Sequence, residues 1–179
     1  MSQALGPRQL TRALSAAEVI ELLELERHPR EGGYIRSTHR DEYSTAIYYL
    51  MTPSEFSGLH VLAGTEIHHF LAGWPSHQLL LYPDGRVGEP ILGDDLAGGE
   101  RPQRVVPSGV WQAQRPLGPW TLISATMAPG FEWSIYADPE VERVVHRWPA
   151  AERRIRDLVH PDQVTTDPSE RASDQTDMT

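Results

Sequence analysis

Apolar residues recur at helical spacing in two stretches of this chain. Between Ala16 and Glu26 a stripe of Val19, Ile20, Leu22, Leu23 and Leu25 follows a Ser15-x-x-Glu18 capping box and stops at His28-Pro29, which predicts an amphipathic helix over 16–26. Near the other end, Pro149 to Val159 carries Ile155, Leu158 and Val159 behind a first-turn proline and predicts a second, shorter helix. The region between them is patterned differently. Short runs rich in β-branched and aromatic residues, among them 34–38, 43–51, 66–70, 78–82, 104–106, 120–127 and 131–136, alternate with turn signals such as Gly32-Gly33, Pro83-Asp84-Gly85 and Pro129-Gly130. About eight or nine strands at this spacing, with one helix before them, predict an all-β sandwich or barrel with both helices packed outside it.

A length of 179 residues suits one domain, with an N-terminal arm over 1–14, the domain itself over 15–160 and a tail over 161–179. That tail is polar from Pro168 onward, lacks core residues and reads as disordered. With no cysteine, disulfides, thiolate metal sites and thiol catalysis drop out, and a cytoplasmic location is the simplest reading. A formal charge of −9 without a basic stripe argues against nucleic acid, and no apolar run approaches the roughly 20 residues that a membrane span requires. Gly-x-Ser-x-Gly, phosphate-loop and dinucleotide fingerprints do not occur.

Candidate chemistry is concentrated between Ser57 and Gly73, where His60, Glu66, His68 and His69 interrupt an apolar run. If 66–70 is a strand, Glu66, His68 and Phe70 share one face, while Ile67, His69 and Leu71 share the other. His60, just before the turn at Ala63-Gly64-Thr65, can then lie beside Glu66 on the neighbouring strand. Arg36, on the face of Tyr34 and Thr38, is a candidate clamp for an anionic ligand, or else a partner for Glu31 or Asp41. His28, His39, His146 and His160 read as structural or exposed.

These pieces resemble the cupin superfamily, and within it the small cupin-5 subfamily, over about Leu22 to Tyr136. His60, Glu66 and Gly73 fall at the first His, the Glu and the Gly of the general first motif, with Leu62 at its second His. Val106 to Gln112 is similar to the subfamily's second motif, Val-Pro-x-Gly-x-Trp-Gln, in which Gln112 stands where other cupins have His. Pro29 with Glu31 to Arg36, one residue inserted, and Ala128 to Phe131 match two further subfamily motifs. Val61, Thr65 and His68 depart from its usual Arg, Asp and Trp.

The resemblance implies a double-sheet jelly roll with its pocket inside the barrel, commonly assembled as a homodimer. Apolar strand positions such as Ile47, Leu50, Ile123 and Ile135 are expected to supply that interface. The expected ligand is a small polar or carbohydrate-like molecule, with no organic cofactor. One expected mechanism holds a divalent metal (Zn, Ni, Fe or Mn) on His60, Glu66 and His68 with Gln112 as fourth ligand. A second needs no metal and pairs a His base, His60 oriented by Glu66, with a Tyr acid from among Tyr34, Tyr48 and Tyr49. A third is a module that binds its ligand without turning it over. The candidate catalytic residues are His60 and Glu66, and the candidate ligand-binding residues are Arg36, His68 and Gln112.

Overall fold

The computed structural model describes residues 13–165, so the expected disorder from Pro168 onward lies outside the described residues. Twelve strands form two antiparallel sheets, as the strand pattern and the jelly-roll expectation require. In the order of the first sheet these are β1 (Glu26–Arg27), β2 (Tyr34–Arg40), β3 (Thr45–Met51), β11 (Thr121–Met127), β5 (Glu66–Gly73) and β9 (Gln103–Val106). The second runs β12 (Tyr136–Ala137), β4 (Ser57–Leu62), β10 (Trp111–Pro116), β6 (Ser76–Leu81) and β7 (Val87–Gly88), with β8 (Ile91–Leu92) also on β6. β10 escapes a hydrophobic pattern search because two of its buried side chains are glutamines, Gln112 and Gln114.

Helix α1 covers Ala16–Leu22, four residues fewer than its apolar stripe suggests. The predicted capping box is present in full at Ser15 and Glu18. At the other end the Glu24 amide donates to the Glu21 carbonyl and the Leu25 amide to the Ile20 carbonyl, with Glu24 at φ 51°. This is a Schellman stop made by a glutamate in the left-handed region, so Leu25 packs as the hydrophobic residue beyond the cap rather than as helix. α1 lies on the outer face of the first sheet, over Leu50, Trp120 and Leu122.

The outer face of the second sheet is covered from the C-terminal side. Helix α2 (Val141–Arg147), which lacks a side-chain cap and a sequence signal strong enough to find, contributes Val144 and Val145. The expected segment after Trp148 is a 3-10 turn (Pro149–Ala151) leading into α3 (Glu152–Asp157), whose Ile155 is fully buried. Both predicted helices therefore pack outside the barrel. Residues 161–165, assigned to the tail from sequence, instead form a short helix α4 (Pro161–Thr165) whose Gln163 is buried.

The interior has an apolar half and a polar half. Ile35, Tyr49, Met51, Leu92 and Ile123 cluster in the first, with Ile47 and Phe70 against them. Ile47 and Ile123 thus serve the monomer's own interior and Leu50 lies under α1, so they do not form the outer apolar surface expected for a dimer. The polar half is built from β4, β5, β6 and β10, where His60, His68, Gln78, Gln112 and Gln114 are all buried. Register decides this grouping: Gln112 lies opposite His60 and Leu80, and Gln114 opposite Gln78.

Candidate functional site

Strand alternation places Glu66 and His68 together, as expected, and their side chains meet with His68 Nε2 3.0 Å from Glu66 Oε2. Across the barrel Gln112 Nε2 donates to the same oxygen at 2.8 Å, which ties β10 in the second sheet to β5 in the first. Gln78 Nε2 donates both to His68 Nδ1 at 2.9 Å and to Gln114 Oε1 at 3.1 Å. Because an amide nitrogen can only donate, His68 Nδ1 is an acceptor here, and its ring proton sits on Nε2, toward Glu66. His69 faces outward and exchanges weak contacts with Thr126 and Gln103 at 3.3 Å each.

His60 joins Glu66 and His68 around a small void of about 30 Å³, so the three converge. Its principal partner, however, is Glu31, which enters the sequence only as a motif match and a possible mate for Arg36. The Gly32-Gly33 turn folds Glu31 inward; both glycines have positive φ, and a Cβ on Gly32 would lie 2.7 Å from the Phe56 carbonyl. His60 Nδ1 then stands 2.6 Å from Glu31 Oε2 and 2.8 Å from the Gly58 carbonyl. The carbonyl can only accept, so Nδ1 carries a proton. One face of the ring stacks on Tyr136, with centroids 5.3 Å apart and planes 15° off parallel. What remains is the Nε2 edge, which has no protein partner among the described residues.

The electrostatics follow from these contacts. Burial pushes His60 toward neutrality, but the Glu31 carboxylate, helped by Glu66 and the Gly58 carbonyl, raises its pKa to about 9. Burial likewise favours the neutral form of Glu66, yet His68, His60 and Gln112 together bring it down to about 2. Glu31, also buried, is held below the usual carboxylate range by His60 and His28. His28 is pushed below the ordinary imidazole value, chiefly by burial. Burial, then Glu31, sets Tyr136 well above an ordinary phenol, so it stays protonated and donates to Asp138 at 3.0 Å.

A larger cavity of about 110 Å³ opens beside this cluster. His28, Glu31, His60, Glu66 and Tyr136 form its polar wall, with Ile35, Ile47, Leu62, Met127 and Phe131 among its apolar lining. His28, expected to be structural or exposed, does accept the Arg30 and Glu31 amides at Nδ1, but its ring also lines this cavity. Arg36 does not. It points outward, paired with Glu24 and donating to the Leu23 carbonyl at 3.0 Å, where it steadies the end of α1. Arg40 lines the cavity instead, because a register shift between Ser37 and His39 reverses the alternation halfway along β2. Of the three candidate tyrosines, Tyr34 and Tyr48 pack under α1, and the Tyr49 hydroxyl is committed to the Gly32 carbonyl at 2.5 Å. Tyr136, the phenol in the cavity, escapes sequence reasoning because its stretch reads as strand, whereas a 3-10 turn (Trp133–Ile135) delivers it.

One of the expected mechanisms holds a divalent metal, and the donor set can be tested against that. Both ring nitrogens of His68 are engaged, by Glu66 and Gln78, and His60 Nδ1 is engaged by Glu31 and Gly58. Gln112 turns its NH2 group, not its carbonyl oxygen, toward Glu66. Among the described residues no three His, Asp or Glu side chains are arranged to hold a metal ion. As arranged, these residues do not fit a metal shell.

Comparison with known proteins agrees with the architecture. A protein of Saccharomyces cerevisiae described as uncharacterised is 31% identical over 77% of this chain and 84% of its own. A solved structure from Shewanella oneidensis superposes with TM-score 0.77 at 30% identity, covering 83% of this chain and 99% of that one. A hypothetical protein from Leishmania major gives TM-score 0.75 at 23% identity over 82% and 99% of the two chains. Oxalate decarboxylase from Bacillus subtilis shares the fold more distantly, with TM-score 0.55 at 15% identity over 79% of this chain and 38% of that one. Residues 17–137, from α1 to β12, match the family model described as the cupin superfamily, DUF985, and this chain belongs to that family.

Proposed function

We propose that the barrel takes up a small polar, carbohydrate-sized ligand bearing a carbonyl or carboxylate oxygen, and that the charged Nε2–H edge of His60 binds and polarises that oxygen without a metal. The observation that carries this reading is the one-ended presentation of His60. Glu31 and Gly58 hold Nδ1, Tyr136 covers a ring face, the ring lines the cavity, and Nε2 is the ring nitrogen left without a protein partner among the described residues. A preorganised cationic donor in a largely apolar cavity is worth more to an oxyanion than the same group in water.

The charge states favour this role over proton abstraction. A general base works best with a pKa near the working pH, whereas His60 sits at about 9 and Glu66 at about 2. At neutral pH His60 is therefore an acid and Glu66 a weakly basic carboxylate that accepts hydrogen bonds.

Thermal-shift and calorimetric titration with short hydroxy acids, 2-oxo acids and ketoses at pH 6, 8 and 10 tests the reading. Binding should weaken as pH rises through about 9, where His60 loses its proton, and His60→Ala should abolish it. Affinity indifferent to both would overturn it. Exchange of ligand C–H protons in D2O that grows toward pH 9 would move the assignment from binding to proton-transfer catalysis.

A further inference from the structure

The stretch Leu158–Gln163 lies alongside β4, the strand that carries His60. Its backbone and one side chain satisfy both main-chain groups of Leu59, the residue before His60. The Leu59 amide donates to the Leu158 carbonyl at 2.7 Å, and the Leu59 carbonyl accepts from Gln163 Nε2 at 2.8 Å. The preceding residue is held as well, since the Gly58 amide donates to the Glu31 carbonyl at 2.7 Å. Three consecutive residues of β4, ending in His60, are thus fixed by the Glu31 loop on one side and this strap on the other.

Gln163 is the hinge of the arrangement. Its Oε1 accepts the His160 amide at 2.8 Å, which orients the side chain, and the same Nε2 lies 3.4 Å from both the Tyr136 hydroxyl and Asp138 Oδ1. It therefore touches the phenol whose ring stacks on His60. The strap sits close because two glycines make room. A Cβ on Gly58 would lie 2.4 Å from Gln163 Oε1 and 2.7 Å from His160 Cβ, and one on Gly32 would lie 2.5 Å from the His160 ring. His160 itself is buried, with its ring edge-on to Phe56 at 5.3 Å.

We infer that Gln163 is a positioning residue of the site: through the Leu59 carbonyl and the Tyr136 phenol it holds the His60 ring in the geometry that keeps Nδ1 on Glu31 and Nε2 toward the cavity. This rests on His60 being the group that meets the ligand, but its test needs no ligand. The groups that face His60 are Glu31, Glu66, His68, His28 and Tyr136, with Asp138 behind the phenol. Loosening the strap lets water in among them and screens the Glu31–His60 pair.

The experiment is an NMR titration of the ligand-free full chain with 15N-labelled histidine, comparing wild type with Gln163→Ala. The His60 midpoint should fall by at least about half a pH unit, a threefold loss of proton affinity. The ring-current shift that Tyr136 imposes on the His60 protons should shrink at the same time. A folded Gln163→Ala protein with both signals unchanged, whatever its melting temperature, would make the strap a structural cap and overturn the inference. If Gln163→Ala does not fold, two other variants decide by the same two signals, a fall in both supporting the inference and no change overturning it. Gln163→Met keeps the length of the side chain without its amide or any new charge, and Gly58→Ala displaces the side chain without altering it. Failure of every ligand to bind would count against the proposed function and leave these signals informative.

Discussion

Glu31→Gln isolates the contact on which the site's charge depends. The substitution keeps the volume of the side chain and removes its charge, so the cavity walls stay where they are. In the wild type His60 titrates at about 9 rather than its ordinary 6.5. At roughly 1.4 kcal/mol per pH unit, this difference corresponds to about 3 kcal/mol of stability. A folded-state pKa raised above the unfolded one stabilises fully below the unfolded value and loses that stabilisation as pH rises through the folded value. The wild-type contribution is therefore complete below pH 6.5 and gone above about pH 9. In Glu31→Gln only Glu66 and the Gly58 carbonyl oppose burial, so the His60 midpoint drops by about two pH units and the slope between pH 6.5 and 9 flattens. Above that lowered midpoint the penalty for an orphaned buried charge does not appear, because His60 sheds its proton instead. Urea unfolding at pH 6, 7, 8 and 9 should then show the variant about 2–3 kcal/mol less stable at pH 6, with the two proteins converging near pH 9. A deficit that stays constant across that range would show that Glu31 acts by packing and not by charging His60.

Glu66→Gln acts on the other limb. The wild-type carboxylate, at about 2 against 4.5, stabilises above pH 4.5 and loses that contribution as pH falls toward 2, so the variant's acid unfolding curve should be flatter there, with a cost of about 1–3 kcal/mol at pH 7. Arg36→Ala should leave the affinity of any cavity ligand unchanged and cost no more than about 1 kcal/mol, since its ion pair with Glu24 is solvent-exposed; a loss of binding would return Arg36 to the site. We further expect a homodimer, as the subfamily resemblance implies, now through the outer face near the β9 edge where Leu71 and Val105 are 45% and 48% exposed. Sedimentation at tens of micromolar should report a dimer that Val105→Glu weakens, and a monomer in the wild type would refute it.

The parts of the fold and site legible in the sequence are those governed by a simple period. Alternation along β5 put Glu66 and His68 on one face and His69 on the other, and the structure keeps them there. The capping box at Ser15 located the start of α1 to the residue. Failures occur where tertiary geometry breaks the period. Arg36 and Arg40 share a parity in an unbroken strand, and only the shift between Ser37 and His39 separates an outward Arg36 from an Arg40 at the cavity. Glu31 belongs to a turn, for which no alternation rule exists, and two consecutive glycines were the single local sign that the chain reverses tightly enough to push that carboxylate inside. Tyr136 arrives from a 3-10 turn hidden in a run that looks like strand. The missed C-terminal helices are short, and α4 adds only a buried glutamine, which a search for apolar stripes passes over.

Replacing buried ion pairs by apolar groups of similar volume is often neutral or stabilising, so burial of two imidazole–carboxylate pairs and three glutamines is not what a barrel needs for stability alone. Here the two pairs differ in what they leave open. His68 and Glu66 are joined to Gln78, Gln114 and Gln112, and through them the two sheets are pinned together at a fixed register. His60 on β4 and Glu31, in the turn between β1 and β2, also join the two sheets, but Glu31 faces the cavity and the imidazole ends in an Nε2 without a protein partner among the described residues. One pair is thus bonded on every side, and on the proposed function the other presents its charge to the ligand. A ligand oxygen at Nε2 would satisfy the hydrogen-bonding capacity that the folded chain leaves open at His60.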